Sequence, residues 1–264
     1  MINKPVIGVA IAVVVVAAGT WYFLQSRHAP TPAPVAAEPA APQEPAEPAI
    51  QHPLPEAPAD SAPQAPLPKL IDSDPALTEA LSQVAGNDVV RQYLLPTNIV
   101  RHLVVTIDNL PRQKVAVEKR PTPPVTGSFA VVGDELHATL DPQNFARYQP
   151  MVAVISTLDM QKLAAVYQRF YPLFQHAYQD LGYPNGYFND RLVQVIDSLL
   201  ATPQPTGPIE LVRPNVMYLY ADPALESRPA GQKLLIRMGP DNAAAIKTKL
   251  KELRAAIVTA APKR

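Results

Sequence analysis

The sequence predicts a mainly α domain with a small β-sheet (α+β), a single soluble domain behind an N-terminal transmembrane helix and a disordered Pro/Ala-rich linker. Three observations predict it. An uncharged run from Val6 to Leu24 has the roughly 20-residue length a bilayer crossing needs. A stretch of proline, alanine and acid follows it. Beyond Lys69, branched and aromatic residues recur at helical and short-strand spacings. The predicted segments are a stub at 1–5, the anchor at 6–24, the linker at 25–68 and a globular domain at 69–264.

The anchor reads VIGVAIAVVVVAAGTWYFL. A helix satisfies its own backbone hydrogen bonds in hydrocarbon, so this run can insert. Trp21 and Tyr22 fall at its end, where amphipathic rings prefer the headgroup level. The competing reading is a cleaved signal peptide, with Ala17-Ala18-Gly19 as the cleavage region. The run continues through Trp21-Tyr22-Phe23-Leu24, which suits a signal anchor better. Lys4 precedes the run and Arg27 follows it, a slight positive-inside bias. The orientation taken is a single pass of the cell inner membrane, N-terminus cytoplasmic and globular domain periplasmic.

Residues 29–68 alternate proline with alanine and acid. Proline fixes φ and removes backbone donors, so neither helix nor sheet propagates. Such a spacer rises about 3.1 Å per residue, and forty residues reach on the order of 100 Å when extended. That length would cross a gap such as the one between an inner membrane and a cell wall.

Composition limits the domain's chemistry. The chain has 264 residues, 47% of them hydrophobic, enough for one sizeable core or two small ones. Its net charge of zero supplies no field toward nucleic acid, so none is expected as a partner. With no cysteine, disulfides, thiolate metal sites and a cysteine nucleophile are excluded. Neither a cofactor nor a metal is expected.

Within the domain, Ser73 or Asp74 can cap a first helix with Pro75 in its first turn and Leu77, Leu81 and Val84 on one face. Short helices are predicted from Asn87 to Leu94 and from Asn98, with Ile99, Leu103 and Ile107 in step. Residues 128–140 read as a hairpin turning at Gly133-Asp134. A helix from Asn144 to Leu158 contains Pro150, which predicts a kink or two pieces. The strongest helix starts near Asp159. Leu163, Tyr167, Phe170, Phe174 and Leu181 make its stripe, and Tyr171 and Tyr178 widen it. The next runs from Asn189 to Leu200. Short strands are expected at 209–212 and 216–220, and 231–238 stays ambiguous. The last helix, capped by Asp241, buries Ile246, Leu250, Leu253 and Ile257.

No Gly-x-Ser-x-Gly, Ser-x-x-Lys, His-Glu-x-x-His or P-loop occurs. The five histidines are scattered, and no pair has helical ligand spacing. Paired carboxylates can converge from distant positions, so Asp190 with Asp197, or Asp222 with Glu226, stand as hydrolase candidates. The tyrosine stripe could stack on sugars, but its spacing is that of a core.

Several strings carry a resemblance: DNLP at 108–111, RYQP at 147–150, YPLFQHAYQDLGYP at 171–184, FNDRLVQVIDSLLATP at 188–203, YADPALE at 220–226 and AGQKLLIRMGPDN at 230–242. Together they resemble the bacterial family called domain of unknown function 3014, over nearly all of residues 69–258. The resemblance implies a Gram-negative source and a layout of anchor, proline-rich linker and domain. It supplies no reaction or ligand.

The function expected is a non-enzymatic binding domain, anchored in the inner membrane and facing an envelope protein or cell-wall polymer. The alternative is a peptidoglycan hydrolase using paired carboxylates. Candidate binding residues are the polar members of the matched strings: Arg147, Tyr148, Asn189, Asp190, Arg191, Asp222, Glu226, Gln232, Lys233 and Arg237. Caps, turns and ion pairs are the competing account of each.

Overall fold

A computed structural model describes residues 49–55, 65–134 and 137–258. The chain divides into two units, Met1–Glu47 and Pro48–Arg264, and every described residue belongs to the second. The anchor expected at 6–24 lies outside the described residues. Among those, no helix is long and apolar enough to cross a membrane.

The domain is mainly helical with a small sheet. In chain order it comprises α1 (Asp74–Ala85), α2 (Asn87–Tyr93), α3 (Ile99–Asn109), β1 (Val131–Val132), β2 (Ala138–Leu140), α4 (Gln143–Thr157), α5 (Met160–Asp180) and α6 (Phe188–Leu200). Then follow β3 (Glu210–Val212), β4 (Leu219–Tyr220), α7 (Pro223–Glu226), α8 (Ala230–Met238) and α9 (Pro240–Ile257). The sheet is antiparallel throughout, in the order β1-β2-β3-β4. Its core face carries Val131, Ala138, Leu140, Leu211 and Tyr220, packed on Ile236 of α8.

Neither residue read as a cap of α1 serves as one by its side chain. The Ser73 hydroxyl donates to the Leu70 carbonyl. The Asp74 carboxylate reaches forward to α3, accepting the Asn98 N–H at 2.6 Å and the Ile99 N–H at 2.8 Å. The buried face of α3 is Ile99, Val100, Val104 and Asp108, turned slightly from the predicted stripe. Leu103 and Ile107 sit at its edge.

Helix α4 continues through Pro150 as one element, not two pieces. Pro150 is exposed, and so is Ala146, whose carbonyl the proline leaves without a helical partner. Water can therefore replace the missing bond. Helix α5 starts where Asp159 accepts the N–H groups of Gln161 and Lys162. It too runs through an exposed proline, Pro172. Leu181, read as part of its stripe, is 39% exposed because the helix ends one residue before it. At α9, Gly239 (φ +86°) occupies the cap position and Asp241 makes no side-chain cap.

The main core joins α1, α3, α5 and the start of α6 through Leu77, Ile99, Val100, Val104, Phe170, Phe174 and Phe188. Phe174 stacks on Phe188 at 5.8 Å, and Tyr178 on Tyr183 at 4.5 Å. Each large apolar side chain fully buried here contributes about 1.5–3 kcal/mol. Helix α9 spans two further clusters. Ile246 packs beside Leu235 and Met238, while Leu250, Leu253 and Ile257 pack with Ala164, Val193 and Ile196.

Candidate functional site

The two ends of α9 differ in kind. Its C-terminal end meets the start of α6 in a polar seat that holds residues 49–55. These residues fall inside the range read as disordered linker, yet they are fastened to the domain. The Asp190 carboxylate accepts the Gln51 N–H at 3.0 Å and the His52 N–H at 2.6 Å. The Tyr187 hydroxyl accepts the Leu54 N–H at 3.3 Å. Asn189 is wholly buried, and its amide donates to the carbonyls of His52 (2.8 Å) and Ile257 (3.0 Å). Its oxygen accepts from the Tyr167 hydroxyl at 3.1 Å. Burial, then the neighbouring Tyr171 and Tyr187, push the Tyr167 phenol well above its ordinary value, so it remains a donor at neutral pH. The Leu54 side chain packs on the cluster of Ala164, Val193, Ile196 and Ile257.

Next to Asp190 on α6, Arg191 closes an ion cluster around a buried carboxylate. Its Nε donates to Asp108 Oδ1 at 3.0 Å and its terminal nitrogen to the Asp108 carbonyl at 2.8 Å. Arg112 donates to Asp108 Oδ2 at 2.6 Å and to the Tyr183 hydroxyl at 2.9 Å. Asp108 is 1% exposed, so this carboxylate is desolvated and depends on both guanidinium groups. Asp108, Tyr187 and the strap at 49–55 were not among the sequence candidates. The usable signal was apolar: Leu54 and Leu67 are the only leucines within 25–68, each in a Pro-Leu-Pro triplet, and both pack on the domain.

The remaining candidates hold local structure. Arg147 donates to the carbonyls of Thr126 (3.0 Å) and Gly127 (2.9 Å) and to Asn144 Oδ1 (3.2 Å). Tyr148 is a core residue beside Val152 and Leu235. Asp222 caps α7 by accepting the Ala224 N–H at 2.8 Å. Glu226 accepts from Lys233 at 2.7 Å and from the Tyr220 N–H at 3.0 Å. Burial alone would raise the Glu226 carboxyl, but the bonds from Lys233 and Tyr220, with the charges of Lys233 and Arg237, outweigh it and hold it below its ordinary value. Burial pushes the Tyr220 phenol up to about 12. Gln232 donates to the Ser198 carbonyl at 2.7 Å. Arg237 lies over the rings of Tyr220 (5.5 Å) and Phe129 (6.0 Å).

The carboxylates of the hydrolase alternative are engaged elsewhere. Asp190 holds the strap, and Asp197 accepts two bonds from Arg254 at 2.6 and 3.0 Å. Asp222 and Glu226 serve α7 and the edge of β4.

At the N-terminal end of α9 lies a cleft of about 450 Å³. One wall is the 203–209 loop, with Pro203, Pro205, Pro208 and Ile209. The other is Val132, Leu140 and Phe145 with Leu235, Ile236 and Ala243. Thr139 and Gln204 are its only polar side chains. The floor depends on Gly239, whose φ of +86° favours glycine, and where a Cβ would stand 2.5 Å from the Phe145 ring. None of the ten sequence candidates lines it. Val212, Val216 and Met217 of the β3–β4 hairpin are exposed, Val216 to 78%. Between α3 and the end of α5 a smaller cavity of about 280 Å³ is bridged by Arg101 and Asp180 at 2.9 Å.

Fold and cleft define a helical domain with a four-stranded antiparallel sheet and one proline-walled apolar groove. The model of the family described as "Protein of unknown function (DUF3014)" matches residues 99–254, more than half of the chain, and the chain belongs to that family. No curated protein and no solved structure matches it.

Proposed function

We propose that this is a non-enzymatic interaction domain, anchored in the inner membrane through residues 6–24, which receives an apolar segment of an envelope protein in the cleft at the start of α9. The observation that carries the reading is the cleft's lining, proline and aliphatic side chains with only Thr139 and Gln204 to donate or accept. A wall glycan presents many hydroxyls and needs matching polar groups or open aromatic faces. Phe145 is the one aromatic in the cleft, and its ring already packs on Gly239. An apolar peptide loses little by entering such a groove, so protein is favoured over polymer. Rigid prolines also keep the walls in place before binding. A membrane tether would raise the local concentration of the domain, so weak binding suffices.

The test is a photo-crosslinking residue replacing Gln204 in the full-length chain, irradiated in intact cells. Adducts that protease digests and glycan hydrolases leave intact support the reading. Adducts destroyed by a peptidoglycan hydrolase would replace it with polymer binding. Protease added to spheroplasts tests the location: a C-terminal tag should be lost while a cytoplasmic control survives.

A further inference from the structure

We propose that the α6–α9 seat is a peptide-binding site that recognises residues 49–55 of its own chain and holds them at the end of α9 opposite the cleft. The seat reads a bend at Gln51-His52 followed by a Pro-Leu-Pro run. One carboxylate, Asp190, takes two consecutive N–H groups, and one amide, Asn189, takes the carbonyl that follows. A phenol, Tyr187, takes the N–H two residues on, and an apolar socket takes Leu54. The Pro-Leu-Pro triplet suits this seat, because flanking prolines hold the backbone extended and bring few donors of their own. The second triplet, at 66–68, plants Leu67 on the main core. Leu54 and Leu67 thus each pack on the domain before α1 begins.

Two consequences follow from where the strap is seated. Asn189 ties His52 to Ile257, whereas the cleft uses Ala243. These positions are fourteen residues apart on α9, about 21 Å at 1.5 Å per residue. The seated segment therefore leaves the cleft open, a consequence that rests on the cleft being the working surface as proposed above. Seating also holds residues 49–55 against the domain, a segment that would span up to roughly 22 Å at 3.1 Å per residue if released and extended.

The chain has no cysteine, so Ala49→Cys with Gln204→Cys gives a clean pair of spin-label sites in the full-length protein. A single narrow distance distribution is expected, with slow amide exchange at Gln51 and His52. Asp190→Ala should broaden the distribution and return both amides to the free-chain rate, with α5 amides unchanged. Gln51→Pro deletes one donated N–H without touching the helices and should do the same. A broad distribution in the parent chain overturns the proposal, and so does a distribution that both variants leave narrow. No partner takes part in this measurement, so a failed cleft does not affect its result.

Discussion

The two ends of α9 teach different lessons about polar and apolar surface. At the C-terminal end, polar side chains are numerous and each answers another group of the same chain: Asn189 three times, Asp190 twice, Asp108 through two arginines. At the N-terminal end, polar side chains are scarce and the surface is open. Polar residues in long matched strings thus mark internal bonding, and the open cleft is lined mainly by proline, valine, leucine and isoleucine.

The polar end is the more sensitive to substitution. Asp108→Ala should cost about 3–5 kcal/mol in a urea titration, because it leaves Arg191 largely buried without its anion. Most of that loss belongs to Arg191, since Arg112 is half exposed. Replacing Asp108 and Arg191 together by apolar residues should recover much of it. Asn189→Ala should cost about 1–3 kcal/mol by stranding buried carbonyls, and should also free the strap.

Gly239→Ala tests the cleft. It adds a Cβ at positive φ against the Phe145 ring, a strain of about 1–3 kcal/mol. It should also push Phe145 into the groove and reduce the yield of crosslinks from position 204. The Glu226–Lys233 pair predicts a pH effect. Because the folded carboxyl sits below its ordinary 4.5, the pair stabilises the fold above that pH, and the contribution is lost as pH falls through the lower folded value. Glu226→Gln should flatten the acid limb of a plot of melting temperature against pH. The smallest expected effect is Val132→Ser. Val132 is 52% exposed, so stability should change by no more than about 0.5 kcal/mol while cleft crosslinking falls. Equal crosslinking in that variant would remove Val132 from the binding surface.

Much of the helical framework was legible in the sequence because its signals act within a few residues. Asp159 caps α5, Asp222 caps α7, Pro75 sits in the first turn of α1, and Gly133 opens the β1–β2 hairpin. The segment 231–238 resisted periodicity and became α8, which packs against the sheet through Ile236 and against α9 through Leu235 and Met238. Where a side chain bonds far along the chain, the local reading failed. Asp74 was read as a cap of its own helix and instead holds α3, 24 residues on. Asp190 was read as one of a catalytic pair and holds amides 138 and 139 residues away. The linker boundary missed 49–55 for the same reason, since the seat for that segment is made by α5, α6 and α9.

Residue order alone thus settles the start of most helices and the Gly-Asp hairpin, effects of backbone stereochemistry and bonds within one turn. The strap, the burial of Asp108 and the cleft were decided only when distant segments met. The cleft shows why most clearly. Its walls come from residues 132, 139–145, 203–209 and 235–243, and an apolar residue in any one of them is indistinguishable from core until the others fail to cover it.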